Sequence, residues 1–287
     1  MRGGSGRRLV AAAALLLAAG GCSSSDGVLD DGTLTVGDSG SDEFSTIQAA
    51  IDSAGPGTTI EVAAGTYVER LIILQSVTLV GAGAGSIVEL PGNIDPTDPV
   101  IEVRGAVNVR IEGFTVRGPS DGILVRDSSA VVIASVVASD NGDEGIDVRH
   151  SSGVEISGIF ENNGDHGVQV REGSDGVTVQ ASTISANVQD GVNVEVSTGV
   201  TVQSSTIAGN LQDGAKIEGS ADCTVRDNEV TGNGDDGVLV GESTGVQLLR
   251  NTVTGNLGFG IRLRVSPDTL LEDNTVTGNT AGNIEID

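Results

Sequence analysis

Two kinds of charged residue recur in this chain at intervals of about 23 residues. The first is arginine, at Arg104, Arg126, Arg149 and Arg171, with Glu195 and Glu218 continuing the column. The chain has only 15 Lys and Arg against 40 Asp and Glu, so four arginines in one column concentrate a scarce charge. A guanidinium grips a carboxylate with two parallel hydrogen bonds, so the column predicts a cleft for an anionic sugar. The plainer account is that these arginines pair with acids such as Asp147 and Glu172 and only offset local charge. The second kind is a titratable residue just before a glycine: Ser120-Asp121-Gly122, Asp143-Glu144-Gly145 and Asp165-His166-Gly167, continued by Asp190, Asp213 and Asp236. If stacked, such carboxylates repel, and they either keep protons or recruit a hard cation. Calcium at Asp143, Asp165, Asp235 and Asp236 is the expected ion, and no other cofactor is expected. The competing account makes Asp-Gly a turn device, with Gly at positive φ and Asp bonding nearby backbone. Copper is disfavoured, since after Met1 the chain offers no Met and only His150 and His166.

The elements that position these columns follow from a repeat. Glycine recurs at Gly122, Gly145, Gly167, Gly191, Gly214, Gly237 and Gly260, and asparagine stands four residues earlier from Asn141 to Asn256. Between them the apolar residues alternate with period two, as in Ile146/Val148, Val154/Ile156 and Ile184, Ile207, Val230. Three short β-branched strands per repeat cannot bury one face alone, but stacked coils can. The expected fold is all-β: a right-handed single-stranded parallel β-helix, three strands per ~23-residue coil. The asparagines then form a side-chain ladder, and a second polar column runs Ser182, Ser205, Asn228, Asn251, Asn274. Cys223 takes a valine slot and reads as a core thiol. Residues 46–54 place Ile47, Ala50 and Ile51 at helical spacing, and predict a short N-terminal capping α-helix started by Ser45 or Thr46.

The formal net charge is −25 and aromatic residues are 2% of the chain. Both argue against nucleic acid, which needs a basic face and stacking platforms. At the N-terminus, Arg2, Arg7 and Arg8 precede an apolar run over 9–19, too short to span a bilayer. Cys22 follows small residues. This arrangement resembles a bacterial lipoprotein signal, which implies a signal peptide over 1–21, lipid on Cys22, a flexible tether over 22–32 and a β-helix domain over 33–287. The implied location is the cell envelope, at an outer membrane or cell surface, with the lipid as the contact to the membrane. An ordinary cleaved signal and a secreted protein are the alternative.

The stretches GDSGSDEFSTIQAAIDSA and GTYVERLIILQSVTLVGAG resemble the cap and first coil of pectin-methylesterase-type β-helices, and the later repeats resemble the pectin-lyase-like superfamily. The methylesterase catalytic motifs are absent. By similarity to polygalacturonase-type hydrolases, Asp121, Asp143, Glu144 and His166 would share acid and water-activating roles in one groove. The cationic element expected on the next coil is replaced by Asn193-Val194-Glu195. Three functions therefore stay open: an envelope protein presenting a rigid face to carbohydrate, with Arg104, Arg126, Arg149 and Arg171 as ligand-binding residues; a polysaccharide hydrolase or lyase; and a calcium-stiffened surface element.

Overall fold

The first strand, Thr33–Val36, runs in register beside Thr58–Val62, and everything after it winds the same way. A computed structural model describes residues 32–287; the signal segment and Cys22 lie outside the described residues. Over the described residues the chain forms a parallel β-solenoid of about 11 turns with one short helix. All strand pairs are parallel, and each residue lies beside its counterpart one repeat away, as Val125 beside Val148 and Val148 beside Val170. This is the expected β-helix.

Each coil contributes to three sheets. The first and second merge where one long strand, Ser129–Ser139, and its neighbour Glu155–Glu161 turn the corner without a break. The third sheet is separate and runs from Leu71–Ile73 through Ile146–Arg149 to Gly282–Ile286. Inward residues of all three, such as Ile146, Val148, Val154 and Ile184, are fully buried. Period two thus puts one face of every strand in the core and leaves the other to carry charge.

The asparagine column is a ladder. Nδ2 of Asn210 donates to Oδ1 of Asn233 at 3.0 Å, and Asn233 repeats this to Asn256 at 2.9 Å. The second column behaves likewise, with Asn228 bonded to Asn251 at 3.0 Å. A serine ladder, unforeseen in the sequence, joins the third sheet to the first, as when the Ser220 N–H donates to Ser243 Oγ at 3.1 Å. Cys223 is a free, buried thiol, and burial raises its pKa.

The recurring glycines correct the turn account. They are not at positive φ. A Cβ on Gly191 would sit 2.6 Å from the Gly214 carbonyl oxygen and 2.8 Å from Asn210 Nδ2. Glycine is needed because the asparagine ladder and the next coil press on this spot, not because the backbone is left-handed.

The cap helix spans Ile47–Ser53, within the expected 46–54, with Ile47, Ala50 and Ile51 buried. Thr46 is its N-cap residue but makes no side-chain capping bond. The Glu69 carboxylate, from the next coil, accepts the Ile47 and Gln48 N–H groups at 2.8 and 2.9 Å instead. A negative side chain suits exposed N–H groups at a helix start, and it ties the cap to the solenoid.

Candidate functional site

The outward face of the third sheet carries two parallel columns. One edge is the arginine column, in register as Arg104, Arg126, Arg149, Arg171 and led by Leu74, next after Ile73. Beside it runs Ile72, Glu102, Leu124, Asp147, Gln169, Asn193. Although these face outward, Glu102 is 3% exposed and Asp147 is 0% exposed, because arginine side chains fold over them.

The arginines are therefore paired, and Asp147 is one of the acids expected to pair with them. Asp147 Oδ2 accepts Arg149 Nε at 2.6 Å and Arg171 Nη2 at 2.7 Å. Its other oxygen, Oδ1, is buried without a hydrogen-bond partner among the described residues. Glu172 is not a direct partner of Arg171: its carboxylate lies 3.3 Å from His150 Nδ1. Glu102 serves three guanidiniums, with Arg126 Nε at 2.7 Å, Arg70 Nη2 at 3.0 Å and Arg104 Nη1 at 3.7 Å. Buried carboxylates bind one side of each guanidinium while 26–42% of each side chain in the column remains exposed.

Along the other edge, the slot before each glycine has a repeat-wide task. Asp190 Oδ1 accepts the Asp213 N–H at 2.9 Å, Asp213 Oδ1 that of Asp236 at 2.8 Å, and Asp236 Oδ1 that of Phe259 at 2.7 Å. Each acid thus bonds the next coil and not its own turn. His166 performs the same service, its Nδ1 accepting the Asp190 N–H at 3.1 Å. Its Nε2 lies 3.2 Å from Asn193 Nδ2 and 3.3 Å from Asp165 Oδ1. Burial lowers its pKa to about 4, so the ring is neutral near pH 7.

Asp121 and Glu144 break the pattern. They occupy the slot on adjacent coils, both are buried, and their carboxyl groups are hydrogen-bonded to one another. Two carboxylates can share a bond only if one holds a proton. Burial first, then the bond to Asp121 and the charges of Asp121 and Asp147, push Glu144 up to about 9. Burial also raises Asp121, with the Asp147 charge adding and Arg149 opposing. Arg171 Nη2 comes within 3.6 Å of Glu144 Oε1, and Arg149 Nη2 within 3.8 Å of Asp121 Oδ2. Asp143 is exposed at the rim, with a carboxylate oxygen within 4.8 Å of oxygens of Asp121 and Glu144.

The structure thus gathers Asp121, Asp143 and Glu144 with Arg149 and Arg171, and turns the His166 ring toward Asp190 and Asn193. Asp147 was legible as a partner of the arginines, but nothing in the sequence marked it or Glu102 as buried. Their only signal was position, two residues before an arginine in the same strand. Among the described residues, acids that could hold a metal ion gather at two places, Asp121/Asp143/Glu144 and Asp213/Asp235/Asp236, each with two buried members and one exposed. Of the acids expected to take calcium, Asp143 falls in the first group and Asp235 and Asp236 in the second; Asp165 falls in neither. At the first group, the two nearby guanidiniums and the shared proton already offset the charge a cation would meet.

A sequence profile described as a right handed beta helix region matches residues 99–253 and 190–287. The curated proteins compared include no sequence match. Among solved structures, an alginate lyase from Paenibacillus sp. aligns at a TM-score of 0.67 and 18% identity, covering 84% of this chain and 94% of that one. The mannuronan C-5 epimerase A-module of Azotobacter vinelandii aligns at 0.61 and 20%, covering 83% and 92%. The enzymatically active domain of tailspike protein 2 from bacteriophage CBA120 aligns at 0.66 and 14%, covering 83% of this chain but 43% of that chain. At these identities the likeness is one of fold.

Proposed function

The chain belongs to the right-handed β-helix family, and on that premise we propose that the outward face of its third sheet binds an anionic polysaccharide of the uronate class. One observation carries this reading: Arg126, Arg149 and Arg171 lie in register, held in place by the buried Glu102 and Asp147. Arginines fixed in advance lose little freedom on meeting a sugar carboxylate, so more of the interaction energy appears as affinity. An alginate lyase and a mannuronan C-5 epimerase of similar fold support the choice of ligand class. Calorimetry with polymannuronate, polyguluronate and polygalacturonate against a neutral glucan tests it. Binding of at least one uronan, weakened about tenfold or more by Arg149→Ala with Arg171→Ala, is expected. Equal binding of the neutral glucan, or indifference to the double substitution, overturns it.

Turnover is the second reading, favoured by a protonated Glu144 beside Arg171. Together they would neutralise a uronate carboxylate, the step that makes its neighbouring C–H acidic enough for elimination or epimerisation. Hydrolysis with inversion is less well served, since it needs two carboxyls roughly 6.5–9.5 Å apart with a water between them. Here Asp121 and Glu144 bond directly. Asp143 at the rim and the neutral His166 are the remaining proton carriers of this reading. Assays for unsaturated products and reducing ends decide between turnover and binding alone, with Glu144→Gln as the control.

The protein is exported and anchored through lipid on Cys22 in this proposal, which places the groove at the envelope surface where such polymers occur. Labelling with a palmitate analogue, lost in Cys22→Ser, tests the anchor; labelling that survives the substitution overturns it. Calcium at Asp213, Asp235 and Asp236 is a further part of the reading, resting on oxygens within 4.8 Å of one another.

A further inference from the structure

The charged face of the third sheet is bounded at its first strand. That strand, Leu71–Ile73, has no earlier strand of the sheet beside it, and the cap helix stands there instead. Gln48 of the helix acts as the missing rung: its Oε1 accepts the Ile72 N–H at 2.7 Å and its Nε2 approaches the Ile72 carbonyl at 3.3 Å. Gln75 fastens the helix from the other side, its Nε2 donating to the carbonyls of Ile51 and Ala54 at 3.1 and 2.8 Å. Between helix and sheet lies a cavity of about 610 Å³. Ile72 and Leu74 give it an apolar wall, Asp52 supplies an acceptor on the helix side, and Arg104 stands at its solenoid side.

Two features make this cavity unlike the groove beyond it. Its part of the two columns is apolar, because Ile72 and Leu74 hold the positions filled by Glu102 and Arg104 one coil later. Moreover, Arg104 is the least neutralised arginine of the column. Its acid is Glu102 at 3.7 Å, and that carboxylate is already engaged by Arg126 and Arg70 at 2.7 and 3.0 Å. A second acid, Asp98, also pairs with Arg70 at 3.0 Å, leaving three guanidiniums against two carboxylates. Asp52 is the acid of the opposite, helix wall and accepts a hydrogen bond from Gln48 Nε2 at 2.8 Å, so Arg104 is the cation of the solenoid wall. Such a pocket suits a sugar ring, with an apolar ring face on Ile72 and Leu74 and a carboxylate on Arg104.

We propose that this cavity is a chain-end subsite: the cap helix stops a uronate chain lying in the groove, and Arg104 takes the carboxylate of its terminal residue. This rests on the groove binding a uronan. From Arg104 the strand spacing of about 4.8 Å puts Asp121 about one rung, and Arg149 with Glu144 about two rungs or ~10 Å, further along. A chain seated by its end therefore passes its next residues over those groups in fixed register.

The test uses uronate oligosaccharides of defined length, free or blocked at one end, by a bulky reductive-amination label at the reducing end or by a methyl ether at the other. Calorimetry on the whole protein should show one of the two blocked forms binding tenfold or more weakly than the free oligosaccharide. Leu74→Trp, which fills the cavity at an exposed position, and Arg104→Gln should each reproduce that loss with the free ligand. If both blocked forms bind like the free one and neither variant matters, while Arg149→Ala with Arg171→Ala still weakens binding, the end subsite is wrong and the groove stands. If wild-type protein binds no uronate, groove and end subsite fall together.

Discussion

Asp121 and Glu144, on adjacent coils, bond to each other through their carboxyl groups, whereas His166 and Asp190 in the same slot bond the next coil's backbone. A slot kept uniform by the repeat is thus released from its structural task where two arginines approach it. Burial raises several acids of this slot, and Glu144 keeps its proton at neutral pH, with measurable consequences for stability.

Burial raises Glu144 to about 9, Asp213 to about 7 and Asp190 to about 6. The folded state keeps these protons longer than the unfolded chain, so their stabilisation is present at low pH and is lost as pH rises through those values. His166, lowered to about 4, acts oppositely, but its effect is complete above its ordinary value of 6.5. The melting temperature should therefore fall between pH 6.5 and 9.5, by more than the about 2–4 °C that one kcal/mol shifts a chain of this size. Glu144→Gln should flatten the fall between about pH 7 and 9, where Asp190 and Asp213 have already titrated. A melting temperature that rises over this range contradicts the assigned protonation.

Asn210 is an interior rung. Asn210→Ala removes its bond to Asn233 and leaves the Asn187 N–H and Nδ2 without their acceptor at 3.1 and 2.8 Å. A loss of about 2–4 kcal/mol is expected in urea unfolding, since buried donors stay unpaired. Hydrogen exchange should speed up most in the coils beside it, because each coil leans only on its neighbours. A loss below about 0.5 kcal/mol would show the ladder to be decorative.

Val196 is exposed at 67% and sits at φ +45°, a left-handed conformation that a β-branched residue rarely adopts. Val196→Asn should stabilise the fold by about 0.5–1 kcal/mol, read as a higher urea midpoint at unchanged slope. An unchanged or lower midpoint would mean the valine makes a contact that compensates its strain.

With a net charge of −25, the protein repels a polyanion at long range while its groove attracts one at short range. Salt screens the first more than the second, since buried pairs feel it least. Association with a uronan should therefore quicken from about 10 mM to about 150 mM salt, the reverse of a basic sugar-binding protein. Stopped-flow rates that fall with salt would point to a different binding face.

The second acidic group gives a test of calcium. Saturating Ca²⁺ should raise the melting temperature relative to a chelated sample, and Asp235→Asn, at an exposed position, should abolish the rise. A melting temperature indifferent to calcium removes that part of the proposal.

The repeat made most of the fold legible, because stacking turns a column in sequence into a row of neighbours in space. Gly191 and Asn210 could be read as one unit on spacing alone, although the reason for the glycine was close approach and not a turn. The cap helix was legible from Ile47, Ala50 and Ile51, but its true cap, Glu69, was not, since 21 and 22 residues separate it from the N–H groups it serves. Candidate acids were legible only as a list. Asp121 and His166 share one slot pattern, and nothing in their spacing says that one carboxyl meets another while the imidazole meets a backbone amide.

The sequence by itself determined the winding, the core and the ladders, since period-two β-branched strands repeated every ~23 residues have one way to bury themselves together. Tertiary structure alone decided which charges face each other across the third sheet. Protonation depends on burial and on distances of a few ångströms, and the rotation of Arg149 and Arg171 onto Asp147, which sets both for Glu144, is a choice among rotamers that the order of residues leaves open.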